Sequence, residues 1–145
     1  MRSILVGVDF SENSERVLAL AAEIARGSNG KLWLIHVAAP NPEFVGYEAG
    51  PQSVRDARAS ELREEHRVLQ RLADKLRETG LEATALLIEG STVAALLAQA
   101  AELEADLIVV GSHGRGVLGR ALIGSVSEGV TRRGERPVLI VPTSK

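Results

Sequence analysis

The chain of 145 residues contains no cysteine, a single tryptophan, a single tyrosine and two phenylalanines. Without thiols there are neither disulfides nor thiolate metal sites, which is compatible with a reducing cytosol. So few aromatic rings provide no stacking platform for single-stranded bases. Nor is there a surplus of positive charge: at a formal net charge of -2, the chain lacks the excess of Lys and Arg with which a general nucleic-acid binder displaces counterions. Long apolar runs are missing as well. No stretch approaches the length of a membrane span or a secretory signal, and Met1-Arg2-Ser3 leads straight into a strand-like segment. These absences point to a soluble, cytoplasmic protein that engages neither nucleic acid nor membrane.

What is present is a hydrophobic content of 45%, enough for the core of one domain over 1–145 in a chain too short for two of ordinary size. Residues 3–9 are a continuous apolar run ending in a carboxylate, the pattern of a strand buried on both faces of a parallel sheet. Gly7 would weaken that strand unless another backbone or a ligand needs the space beside it. Ser11 or Asn13-Ser14 then caps a helix, which Gly27-Ser28-Asn29-Gly30 ends. Residues 31–37 form a second strand. The segment 38–52, with three prolines and two glycines, is irregular, and its Phe44 and Tyr47 either fold over a ligand as a lid or sit in a plain mobile loop. A long helix over 53–79 has an apolar face of Leu62, His66, Leu69, Leu72, Ala73 and Leu76. A strand at 83–88, a helix at 93–103 capped by Ser91 or Thr92, a strand at 105–110, a helix from Ser125 to about Arg133 and a strand at 137–142 follow. Strands alternating with helices predict a parallel α/β sheet with right-handed crossovers and helices on both faces.

Glycine is concentrated between the fourth strand and the last helix, at positions 111, 114, 116, 119 and 124. Glycines let a ligand approach the main chain closely, and the first amides of a helix have no internal partner and attract anions. Arg115 and Arg120 flank the loop, and Ser125 and Ser127 stand at the helix start. Charge and donors thus converge where a phosphate would lie. The alternative is a loop whose glycines merely turn the chain. It is not the ATPase P-loop, which needs Lys after its last Gly where this chain has Ser125. It is not the Rossmann dinucleotide fingerprint either, because the first strand ends in Asp9-Phe10-Ser11 without glycine. A phosphorelay receiver is excluded by Asp9 standing alone, by Glu89 after the third strand and by Pro142 after the fifth.

Gly111, Gly114, Gly124 and Ser125 fit the pattern Gly-x2-Gly-x9-Gly-Ser/Thr, Asp9-Phe10-Ser11 closes the first strand and His36-Val37 the second. In these three features, and across essentially its whole length, the chain resembles the nucleotide-binding branch of the universal stress protein family. The resemblance implies a Rossmann-like, single-domain, five-stranded parallel sheet in the order 3-2-1-4-5, with the first and fourth strands adjacent at the switch point where open α/β sheets bind ligands. It also implies ATP, or its products ADP and AMP, held by Gly111, Gly114, Gly124, Ser125 and Val126 around ribose and phosphates, with the main chain of Val37 near adenine. Some ATP-binding members carry proline where Gly7 stands.

The candidate nucleotide-binding set is therefore Gly7, Val8 and Asp9 at the first strand end, Val37 at the second, and Gly111, Ser112, His113, Gly114, Arg115, Gly124, Ser125, Val126 and Ser127 around the loop. Asp9 could hold a ribose or adenine nitrogen, hold a metal through water, or cap the next helix; its place at the switch point favours the ligand. His113 between phosphate-binding glycines is read as a hydrogen-bond donor rather than a general base, since no partner acid is identifiable. His36 is read as a satisfied structural histidine and His66 as packing or surface. Mg2+ or Mn2+ would be shared among phosphate oxygens. The expected function is an ATP-binding regulatory module of the stress response, at most a slow ATPase. A phosphotransferase, or a dimeric stress protein that binds no nucleotide, are the alternatives. The partner protein is unknown. The apolar edge strand Val138–Val141 predicts a homodimer, because an unprotected edge invites pairing.

Overall fold

Strands and helices alternate along the chain as β1 (Ser3–Gly7), α1 (Ser14–Ser28), β2 (Lys31–Ala38), α2 (Gln52–Glu78), β3 (Glu82–Glu89), α3 (Thr92–Glu102), β4 (Leu107–Gly111), α4 (Ser125–Arg133) and β5 (Val138–Val141). The computed structural model describes residues 2–38, 52–112 and 125–142. The strands form one parallel sheet in the order β3-β2-β1-β4-β5, as the resemblance implies. In the central strand Ile4, Leu5 and Val6 are all fully buried, which is why this stretch is apolar at every position rather than at alternate ones.

Alternation along each strand sends side chains into two cores. One face carries Ile4, Val6, Leu32, Leu34, Val109 and Val141 against Val17, Leu18 and Ala21 of α1 and Leu69 and Ala73 of α2. The other carries Leu5, Ile35, Ile108 and Val110 against Leu96, Leu97 and Ala100 of α3 and Val130 of α4. Helices therefore cover both faces, and β1 and β4, whose connections leave in opposite directions, lie side by side. On the outer face of α2 the reading of His66 as part of the apolar stripe is corrected: His66 is exposed and meets Gln70, whereas Glu65 beside it is half-buried.

Several boundaries move by one or two residues. β1 ends at Gly7 rather than at Asp9 because the chain turns away there, although Val8 N–H still donates to Ile35 O at 2.8 Å. α1 runs through Gly27 and ends within the expected stretch Gly27-Ser28-Asn29-Gly30, on Asn29, whose left-handed φ of 57° makes the C-cap. Gln52, expected in the irregular segment, begins α2. Phe44 and Tyr47 lie outside the described residues. Neither Asn13 nor Ser91, at the N-caps of α1 and α3, makes a side-chain capping bond.

The amino ends of the strands are tied by Asp106, whose Oδ2 accepts the backbone N–H groups of Arg2 and Ser3, each at 3.0 Å. Those bonds, Ser3 first and then Arg2, hold the Asp106 carboxyl below the ordinary carboxylate range. A carboxyl depressed in the folded state stabilises the fold fully above that range, and the contribution is lost as pH falls through it toward the lowered value. Asp106→Asn is therefore expected to lower the melting temperature near pH ~7, with the deficit shrinking as the pH is brought down to about 3. A deficit independent of pH in thermal melts contradicts this role.

Candidate nucleotide site

The carboxyl ends of β1, β2 and β4 converge at the switch point. Val6 of β1 is in register with Leu34 of β2 and Val109 of β4, so the last residues of these strands (Gly7, Val37-Ala38 and Gly111) and the residues that follow β1 and β4 lie at one end of the sheet. α4 begins at Ser125, and its amino-terminal end, where a helix dipole favours negative charge, belongs to this same end of the fold.

Gly7 meets the side chains of its neighbours: a Cβ there would lie 3.2 Å from Val110 Cγ1 and 3.6 Å from Leu96 Cδ1. The absence of a side chain thus lets β4 and α3 pack closely. Asp9 Oδ1 accepts the N–H of Ser11 at 2.9 Å and the hydroxyl of Ser14 at 3.1 Å. Ser11 Oγ in turn accepts the N–H of Asn13 at 3.3 Å. The start of α1 is consequently held by Asp9 and Ser11 from outside the helix, and the capping reading of Asp9 holds for this oxygen. The carboxylate is fixed in direction at the strand end.

Val37 is half-buried and packs on the core shared by α3 and α4, as does Val126. Ser127 is buried, and its hydroxyl donates to Ser112 O at 3.4 Å. That bond joins the first turn of α4 to the end of β4, so Ser127 links the two ends of the glycine-rich segment. Of the expected set, His113, Gly114, Arg115 and Gly124 lie outside the described residues, and the structure describes the backbone of Ser125 as the first residue of α4. Among the described residues, no group of three His, Asp or Glu side chains is placed to hold a metal ion.

α4 is positioned by a close approach to α3. A Cβ on Gly129 would lie 2.7 Å from Val93 Cγ2, and the β-branched valine has little rotamer freedom to yield. Gly129→Ala should therefore lower the melting temperature even though alanine gains about 1 kcal/mol of helix propensity over glycine. Adding Val93→Ala should recover most of the loss. A single Gly129→Ala variant more stable than wild type by differential scanning calorimetry contradicts the contact.

An open polar cleft of about 510 Å³ lies at the opposite end of the sheet, lined by Arg2, Ser28, Asn29, Lys31 and Glu82. It is beside the amino ends of β2 and β3, away from the carboxyl ends where open α/β sheets take their ligands.

A five-stranded parallel sheet in the order β3-β2-β1-β4-β5 with helices on both faces defines the class of small doubly wound α/β domains. Within that class the chain matches the model of the universal stress protein family over residues 1–142, and it belongs to that family. It is 32% identical over 146 residues to the universal stress protein of the QAH/OAS sulfhydrylase 3′ region of Thermus aquaticus, covering 97% of this chain and 98% of that protein. Among solved structures, protein MJ0577 superposes with a TM-score of 0.83 at 24% identity, covering 99% of this chain and 97% of the other, a likeness of fold. A universal stress protein solved in complex with cAMP has a TM-score of 0.72 at 30% identity, covering 99% and 98%. No helix among the described residues is long and apolar enough to cross a membrane.

Proposed function

We propose that this stress-response protein binds an adenine nucleotide, ATP in the first place, at the carboxyl ends of β1, β2 and β4, and works in the cytoplasm as a nucleotide-dependent regulatory module. The observation that carries the reading is the coincidence of the switch point with the glycine-rich segment that runs from Gly111 to the first residue of α4. The cAMP complex of a relative at 30% identity supports the same ligand class. In this reading Gly7, Val8 and the main chain of Val37 border adenine, and Asp9 faces ribose. The amides of Gly111 to Gly114, the helix start from Gly124 to Ser127 and the Arg115 guanidinium hold the phosphates. Ser127, already committed to Ser112 O, acts by fixing the helix start. A divalent cation, Mg2+ or Mn2+, would arrive on the phosphates, where it neutralises charge.

The module holds its nucleotide rather than turning it over. Rapid phosphoryl transfer needs a group that orients the attacking water and positive charge matched to the transition state. Amides, hydroxyls and a single arginine hold the ground state equally well, and equal binding of both states does not raise turnover. Single-turnover hydrolysis of labelled ATP at saturating protein is expected to fall far below the ~10 per second typical of enzymes. A rate near about one per second that disappears in His113→Ala or Asp9→Asn would convert the holder into a slow ATPase or phosphotransferase.

A further inference from the structure

His36 faces the α1 and α2 side at the carboxyl end of β2, with its side chain only 13% exposed. Its Nδ1 lies 2.7 Å from Val8 O. A carbonyl oxygen can only accept, so the ring proton is on Nδ1 and the imidazole donates to Val8. Val8 N–H is itself bonded to Ile35 O. Both polar groups of the Val8 residue are therefore held by β2, one by main chain and one by the ring, at the point where β1 has already ended. Two residues on, Phe10 takes a left-handed φ of 62°, unfavourable for a bulky side chain, and lays its ring against the imidazole with centroids 4.3 Å apart. Between these anchors stands Asp9. On the far side of the ring, Glu65 Oε1 of α2 lies 3.7 Å from Nε2, and that oxygen has no hydrogen-bond partner among the described residues.

We propose that His36 is the positioning residue of the nucleotide crevice: its Nδ1–H, braced by Phe10 and faced by Glu65, holds the Val8–Ser11 turn that aims Asp9. The ligand part of this inference rests on the nucleotide reading above, but the turn itself does not. His36 touches no nucleotide and acts through Val8.

Three variants separate the donor from the bulk of the ring. His36→Asn places an amide N–H where Nδ1 stood, His36→Gln places one where Nε2 stood, and His36→Leu keeps apolar bulk with no donor. Two readouts are needed: amide hydrogen exchange at Val8 and Ser11 in nucleotide-free protein, and ATP affinity by calorimetry. Losing one buried bond should speed exchange at Ser11 and weaken ATP binding about tenfold in His36→Leu and His36→Gln, while His36→Asn stays within about twofold of wild type. Should His36→Leu fail to fold, His36→Gln supplies the comparison. His36→Asn behaving like His36→Leu overturns the proposal, as does an imidazole nitrogen spectrum that puts the proton on Nε2 alone. If the wild type binds no ATP, the nucleotide reading falls by itself, and the exchange data still decide whether the donor holds the turn.

Discussion

Replacing Gly114 by valine is expected to remove nucleotide binding while leaving the melting temperature of the domain within a few degrees of wild type. In the proposed cradle the phosphates are held chiefly by main-chain amides, which bind only if the backbone comes within hydrogen-bond distance of the oxygens. A branched side chain at Gly114 fills that space. Hydrogen bonds to a charged group contribute about 1.5–3 kcal/mol each, so losing two weakens binding by about 100-fold or more. The sheet order, both cores and the Asp106 tie are built from residues outside the loop. Unchanged affinity in a folded Gly114→Val protein would move the phosphate site elsewhere.

The second large effect concerns assembly. β5 is the outermost strand on its side of the sheet. The sequence alone suggests charging Leu139 and Val141 to break a dimer at this edge. The structure shows why that would damage the fold instead, since Val141 is buried and Leu139 packs on the same core. The ladder identifies a better position. Ile108 N–H donates to Pro137 O and Ser112 N–H to Val141 O, so the odd-numbered residues of β5 turn their main chain toward β4 and the even-numbered ones turn it outward. Ile140→Pro removes an outward N–H without touching the β4 ladder, and proline is tolerated on edge strands for this reason; it gives up part of the packing of Ile140 on the α3 and α4 core but, unlike lysine, places no charge there. If β5 pairs antiparallel with its own copy across a two-fold axis, as we propose, the variant should halve the mass measured by light scattering while remaining folded. A wild-type protein that is monomeric at micromolar concentration rules the dimer out.

Much of the fold is legible in the sequence because its signals are periodic. The unbroken apolar run of β1 declares a strand buried on both faces, and the α2 stripe ending in Leu69, Leu72, Ala73 and Leu76 declares the face that meets the sheet. What stays hidden is carried by single contacts between distant residues. Nothing local to His36 says that its proton goes to Val8, 28 positions earlier, or that Glu65 rather than His66 turns inward on α2. By residue type the sequence offers Ser11, Asn13-Ser14 and Asp9 as alternatives at the start of α1, and only the structure chooses among them, with the carboxylate of Asp9 and the hydroxyl of Ser11 reaching the turn before the helix. Gly7 is flagged by its position in a strand, but only the structure names Val110 and Leu96 as the reason. Gly129 carried no sequence signal beyond being a glycine inside a helix, and its contact with Val93 explains why a poor helix former stands there.

The central claim is that one adenine nucleotide binds per chain at the switch point. Isothermal titration of the wild-type protein with ATP and Mg2+, run beside Gly114→Val, tests it most directly. The account predicts saturable binding near one ATP per chain with a Kd in the micromolar range or tighter, about -8 kcal/mol or better, and its loss in the variant. No binding by the folded wild type at about 1 mM ATP, where even an interaction of about -4 kcal/mol would register, contradicts it.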